Sequence, residues 1–71
     1  MLEIIRRKFL GSVPLVQLSG EDNQLVQLKD GTLLRSPMGQ YRVRHKPEFG
    51  DWVELRVLSG ELPKDYVETV E

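Results

Sequence analysis

Hydrophobic and polar residues alternate with a period of two along much of this chain, and clusters of turn formers interrupt the alternation every few residues. Residues 40–46 show it most clearly, with Tyr41, Val43 and His45 on one face and Gln40, Arg42, Arg44 and Lys46 on the other. Residues 52–58 repeat the pattern, with Val53, Leu55 and Val57 inward and Glu54 and Arg56 outward. The strongest local signal lies at residues 25–35, where Asp30-Gly31 separates two apolar runs. Asp-Gly suits a type I′ hairpin because both central residues need positive φ, which Gly takes without strain and Asp tolerates. Just upstream, Leu15-Val16-Gln17-Leu18 recurs as Leu25-Val26-Gln27-Leu28 across a connector of turn formers. The pattern predicts strands at 13–18, 24–29 and 32–36, forming a three-strand meander around that turn.

The alternation in this meander is incomplete. Val16 with Leu18, and Val26 with Leu28, share one face. Leu15 and Leu25 lie on the other beside Gln17 and Gln27, and Leu33-Leu34 puts one leucine on each. A strand with one face in water carries polar residues along that whole face, so the second face is expected to be covered, by an N-terminal helix or by another chain. Residues 1–10 supply the helix: Leu2, Ile5 and Phe9 recur at i, i+3 and i+7, and Gly11 stands where a helix would stop. Arg6, Arg7 and Lys8 suit its C-terminal dipole, while Ile4-Ile5 keeps a strand as the alternative. Turns are predicted at Ser36-Pro37-Met38-Gly39, Pro47-Glu48-Phe49-Gly50 and Ser59-Gly60, with a tight connection at Leu62-Pro63-Lys64-Asp65 and a closing strand at 66–70. The expected fold is all-β: a barrel or roll of five or six strands over residues 13–70, with one short helix at 1–10, in a single domain spanning 1–71.

Composition narrows the function more by exclusion than by assignment. The chain has 71 residues, no Cys and one His, so disulfides, thiolate nucleophiles and Cys-based zinc sites are all ruled out. His45 shares a face with Tyr41 and Val43 and reads as a core histidine; no nucleophile or orienting acid is placed to make it a catalytic base. The acidic pairs Glu21-Asp22 and Glu48…Asp51 lack calcium-loop spacing, and no Gly-rich phosphate loop exists. The expectation is a non-enzymatic chain with no cofactor, no metal and no small-molecule substrate. No apolar run reaches the roughly 18–20 residues needed to span a bilayer, and the N-terminal charges follow the apolar residues, the reverse of a secretion signal; a cytoplasmic setting is expected. Charge is uneven along the chain. Residues 1–47 hold eight Lys/Arg against four Asp/Glu, a net of +4, and residues 48–71 hold two against seven, a net of −5. Such a chain either offers opposed charged faces to a partner or interleaves its two halves in space.

Two resemblances bear on the choice of barrel. Gly60-Glu61-Leu62-Pro63-Lys64-Asp65-Tyr66-Val67 resembles the closing segment of SH3 domains, where a short helical turn leads into the last strand. The resemblance implies that Pro63 and Tyr66 line a groove for proline-rich peptides. The chain lacks that family's Ala-Leu-Tyr-Asp-Tyr run, its long acidic loop and its paired tryptophans. A second stretch, Asp30-Gly31-Thr32, Gly39, Arg42 and Gly50-Asp51-Trp52-Val53-Glu54-Leu55, is similar to the OB-fold of bacterial initiation factor one and S1-type RNA-binding domains, which implies a strand face that holds oligonucleotides. The preferred reading is an SH3-like module that binds a protein partner or a second copy of itself, through Trp52, Pro63 and Tyr66 or through the second-face leucines Leu15 and Leu25. The alternative is an OB-type binder of RNA or single-stranded DNA using Arg35, Arg42, Arg44 and Lys46, whose alternate side chains on one strand stand roughly 6.5–7 Å apart, close to the spacing of successive phosphates. Tyr41 or Trp52 would supply the stacking surface.

Overall fold

The structure, a computed structural model describing residues 1–70, is a closed barrel of six antiparallel strands. In chain order these are β1 (Leu2–Leu10), β2 (Val13–Ser19), β3 (Leu33–Ser36), β4 (Gly39–His45), β5 (Trp52–Gly60) and β6 (Tyr66–Val70). Around the barrel they run β1-β2-β5-β4-β3-β6, and β6 closes on β1. The all-β barrel expected from the alternation is therefore present, with six strands. Its interior is filled by the inward residues of every strand, among them Leu2 and Ile4, Val16 and Leu18, Leu34, Tyr41 and Val43, Val53 and Leu55, and Val67. Each fully buried Val or Leu in this set stabilises the fold by about 1.5–3 kcal/mol relative to exposure.

Residues 1–10 form a strand and not the expected helix. Period two wins over period 3.6 because Leu2 and Ile4 are the residues that reach the core, while Ile5 and Phe9, two of the three on the expected helical face, are 54% and 65% exposed. The strand lodges between β2 and β6, and a bulge at Ile5 shifts its register. A two-residue turn with Gly11 at φ +63 joins it to β2, the sign pattern of a type II′ hairpin.

The expected strand at 24–29 is also replaced. Gln24–Gln27 is a single α-helical turn, α1, preceded by a 3-10 turn at Glu21–Asn23. Asp22 and Asn23 take left-handed φ values of 56° and 57°, a conformation that Asp and Asn tolerate better than most residues. The same Leu-Val-Gln-Leu quartet is thus extended at 15–18 and helical over its first three residues, 25–27, in the second copy. In the first copy Val16 and Leu18 face inward at spacing two; in the second Leu25 and Leu28 meet the core at spacing three. Asp30-Gly31 does turn, but it carries the chain from α1 into β3 and does not join two strands. Only Gly31 of the pair has positive φ, at +90, and the Thr32 amide donates to the Lys29 carbonyl at 3.0 Å, so the sign pattern is that of a type II turn. The meander is β3-β4-β5, and it begins at the strand expected to end it.

The segment 28–32 is fastened to the end of β4. Asp30 Oδ1 accepts the His45 amide at 2.6 Å, Gly31 N–H donates to Val43 O at 2.8 Å, and Val43 N–H donates to Thr32 O at 2.9 Å. His45 Nε2 lies 2.5 Å from Leu28 O, and since a carbonyl only accepts, that nitrogen carries the proton. His45 is spent on structure.

Candidate functional site

Two segments, a hairpin turn and a connector, come together where β3, β4, β5 and β6 meet. Ser36-Pro37-Met38-Gly39 turns β3 into β4, and residues 61–65 lead from β5 into β6. The resemblance to SH3 domains implies a helical turn leading into the last strand; residues 61–65 form no helical turn, only a bend at Lys64-Asp65. Gly39 pairs with Gly60, and the backbones approach so closely that a Cβ on Gly60 would collide with the Met38 carbonyl oxygen. Gly60 also has φ +77, so Gly is required there twice over. Glu61 N–H then donates to Met38 O at 3.0 Å.

A chain of hydrogen bonds fixes these segments relative to one another. The Met38 amide donates to Ser36 Oγ at 3.1 Å, Ser36 Oγ lies 3.0 Å from the Tyr41 hydroxyl, and that hydroxyl donates to the Glu61 carbonyl. With one proton per hydroxyl, only the order Met38 to Ser36 to Tyr41 to Glu61 satisfies every member. Tyr41 itself is fully buried, which removes it as a stacking surface.

The result is a cleft of about 560 Å³ between the two segments. Met1, Pro37, Met38, Pro63 and Tyr66 give it apolar walls, and Arg35, Lys64, Asp65 and Glu68 charge its rim. Pro63 is buried and forms part of the base, while Tyr66 is 52% exposed. The structure therefore brings Pro63 and Tyr66 together and adds Arg35. Trp52 does not join them: it is half-buried at the far end of the nine-residue strand β5, opposite Gln17, on the order of 25 Å away at ordinary strand rise.

Leu15 and Leu25 offer no open apolar face. Leu15 is 2% exposed on the outer side of β2, between Lys8 and Glu54 in register, and Leu25 packs from α1 against the core. Leu15 is thus covered within the chain itself, with no N-terminal helix involved.

The basic row lies where the alternation put it, on the outer face of β4, with Arg42 and Arg44 exposed. Register adds what the sequence pattern could not. Arg42 stands directly opposite Arg56 of β5, and like charges so placed repel. Arg44 faces Glu54, Arg35 faces Glu68, and Lys46 Nζ is 3.7 Å from Glu54. The two halves of the chain are thus interleaved at these pairs, and Arg42–Arg56 is where the interleaving fails. Arg42 Nη1 also donates to Gly31 O at 2.9 Å. Trp52 shares this outer face.

Among the described residues, no three His, Asp or Glu side chains gather closely enough to hold a metal ion, and no helix is long and apolar enough to cross a membrane. In comparisons with known families, characterised proteins and solved structures, nothing matches this chain.

Proposed function

We propose that this protein is a non-enzymatic, cytoplasmic adaptor that binds an extended, proline-containing segment of a partner protein in the cleft between residues 36–39 and 63–66. The observation that carries the reading is the meeting of Pro37, Met38, Pro63 and the half-exposed Tyr66 around one cleft of about 560 Å³. A polyproline-II peptide docks on grooves lined by aromatic and proline side chains, with little entropy to lose. Tyr supplies rigid contact area with a polar tip, the usual property of a binding hot spot. Rim charges of both signs, Arg35 and Lys64 against Asp65 and Glu68, would set the direction in which the peptide lies. The SH3-like reading is favoured over the OB reading because the resembling segment, residues 60–67, is the connector into the last strand and contributes Pro63 and Tyr66 to the cleft. An array of proline-rich peptides probed with the wild-type chain and with Tyr66→Ala is the test. Spots bound by the first and lost with the second support the reading; an array blank for both refutes it.

A second reading is favoured by one specific observation, the opposed Arg42–Arg56 pair. Uncompensated cations on a strand face, with Arg44 beside them and Trp52 on the same face, suit the phosphates and bases of a single-stranded nucleic acid. A labelled oligonucleotide should then bind at low salt and be released as salt rises, with Arg56→Ala reducing the salt dependence. Absence of binding at low salt removes this reading.

A further inference from the structure

Strand β1 outruns its neighbour β6. It pairs with β2 from Glu3 to Leu10, but with β6 only at Leu2 and Glu3, extended by one bond from the Ile4 amide to Asp65 O at 2.6 Å. From Ile5 to Leu10, then, one edge of β1 has no neighbouring strand among the described residues. Ile5, Arg6, Arg7, Lys8 and Phe9 are exposed in succession, on both faces of the strand. A free edge presents unpaired N–H and C=O groups at strand spacing and invites another strand.

We infer that this edge is a docking site for an extended segment of a partner protein with three consecutive acidic residues flanked by apolar ones, added antiparallel to Ile5–Leu10. Charge selects the occupant. Arg6 and Lys8 lie on the face of Gln17 and Leu15, and Arg7 lies on the other, so only consecutive acidic residues meet all three cations across the new ladder. Ile5 and Phe9, 54% and 65% exposed, receive the flanking apolar residues. A second copy is a poor occupant, because two-fold pairing of β1 with itself sets Arg7 against Lys8 and stacks six cations together. A nucleic acid satisfies the charges but not the edge, since a phosphodiester backbone has no N–H to donate to the exposed carbonyls.

The test is a titration of the full isotopically labelled chain with a labelled peptide of three central glutamates flanked on each side by valine and threonine. Binding is expected, with amides 5–10 shifted and slowed in hydrogen exchange, and reversal of Arg7 and Lys8 to glutamate should weaken it about tenfold or more. The same peptide N-methylated at alternate residues should not bind, and this arm needs no variant of the protein. No binding overturns the inference. So does equal binding of the N-methylated peptide, which would mean charge attraction without strand addition, and so does protection of amides 5–10 by an oligonucleotide in preference to the peptide. The response sits at residues 5–10 and not at 36–39 or 63–66, so this result and that of the cleft are read separately.

Discussion

Tyr41 shows how one residue can serve the core and the cleft together. Its ring is fully buried in the barrel, and its hydroxyl links Ser36 to the Glu61 carbonyl across the base of the binding segments. Tyr41→Phe keeps the ring but removes the hydroxyl between Ser36 and the Glu61 carbonyl, and should cost about 1 kcal/mol in denaturant unfolding while also weakening peptide capture. Gly60→Ala should be more severe, about 2–3 kcal/mol, because it adds a collision with Met38 O to a positive φ. Asp30 is a milder case. Asp30→Ala loses the acceptor for the His45 amide, at about 1 kcal/mol, and Asp30→Asn should restore most of it. These residues differ in how far the sequence announced them. Gly60 and Asp30 stand at evident turns, but the uses made of them, a backbone crossing and a clamp on β4, depend on register between segments far apart in the chain. Tyr41 was legible as an inward residue; its hydroxyl partners were not.

Element by element, legibility followed the length and regularity of the pattern. β4 alternates over its seven residues and lies where the alternation put it, whereas β5 alternates only as far as Leu55: Val57, expected inward, is 40% exposed, and the strand runs on through Ser59-Gly60, expected as a turn. The short apolar runs did not speak so plainly. Leu-Val-Gln-Leu satisfies both spacing two and spacing three, so only the tertiary setting decides that residues 15–18 extend and Gln24–Gln27 coils. At the N-terminus, Leu2, Ile5 and Phe9 happen to recur at helical spacing, yet the only part of 1–10 that reaches the core is Leu2 and Ile4. The remainder of β1 is an arm exposed on both faces and held along one edge only, by β2. Native-state hydrogen exchange should therefore find the amides of Arg7, Lys8 and Phe9 opening well before those of Tyr41, held between β3 and β5, and Val43, held between segment 31–32 and β5. Equal protection of the two sets would mean that the arm is already covered.

At the scale of the whole molecule, the barrel separates two surfaces that the chain order mixes: an apolar cleft beside β6, and a cationic face on β4 and β5. Arg35 touches both, lining the cleft and flanking the basic row, so Arg35→Ala should weaken peptide capture without abolishing it. The sequence pointed to Pro63 and Tyr66 through a segment of eight residues, but it did not reveal Met38 and Pro37 as the facing wall, because their approach depends on the Gly39–Gly60 crossing. Nor could it separate Trp52 from that group, since the distance between them is set by the length of β5 in space. The measurement that bears most directly on the cleft is an amide-shift titration of the labelled chain with a proline-rich peptide taken from the array. Saturable shifts confined to residues 36–39 and 61–66 are expected, and they disappear in a folded Tyr66→Ala variant. Shifts centred instead on Arg42, Arg44 and Arg56, or a response unchanged by Tyr66→Ala, would contradict peptide binding in the cleft.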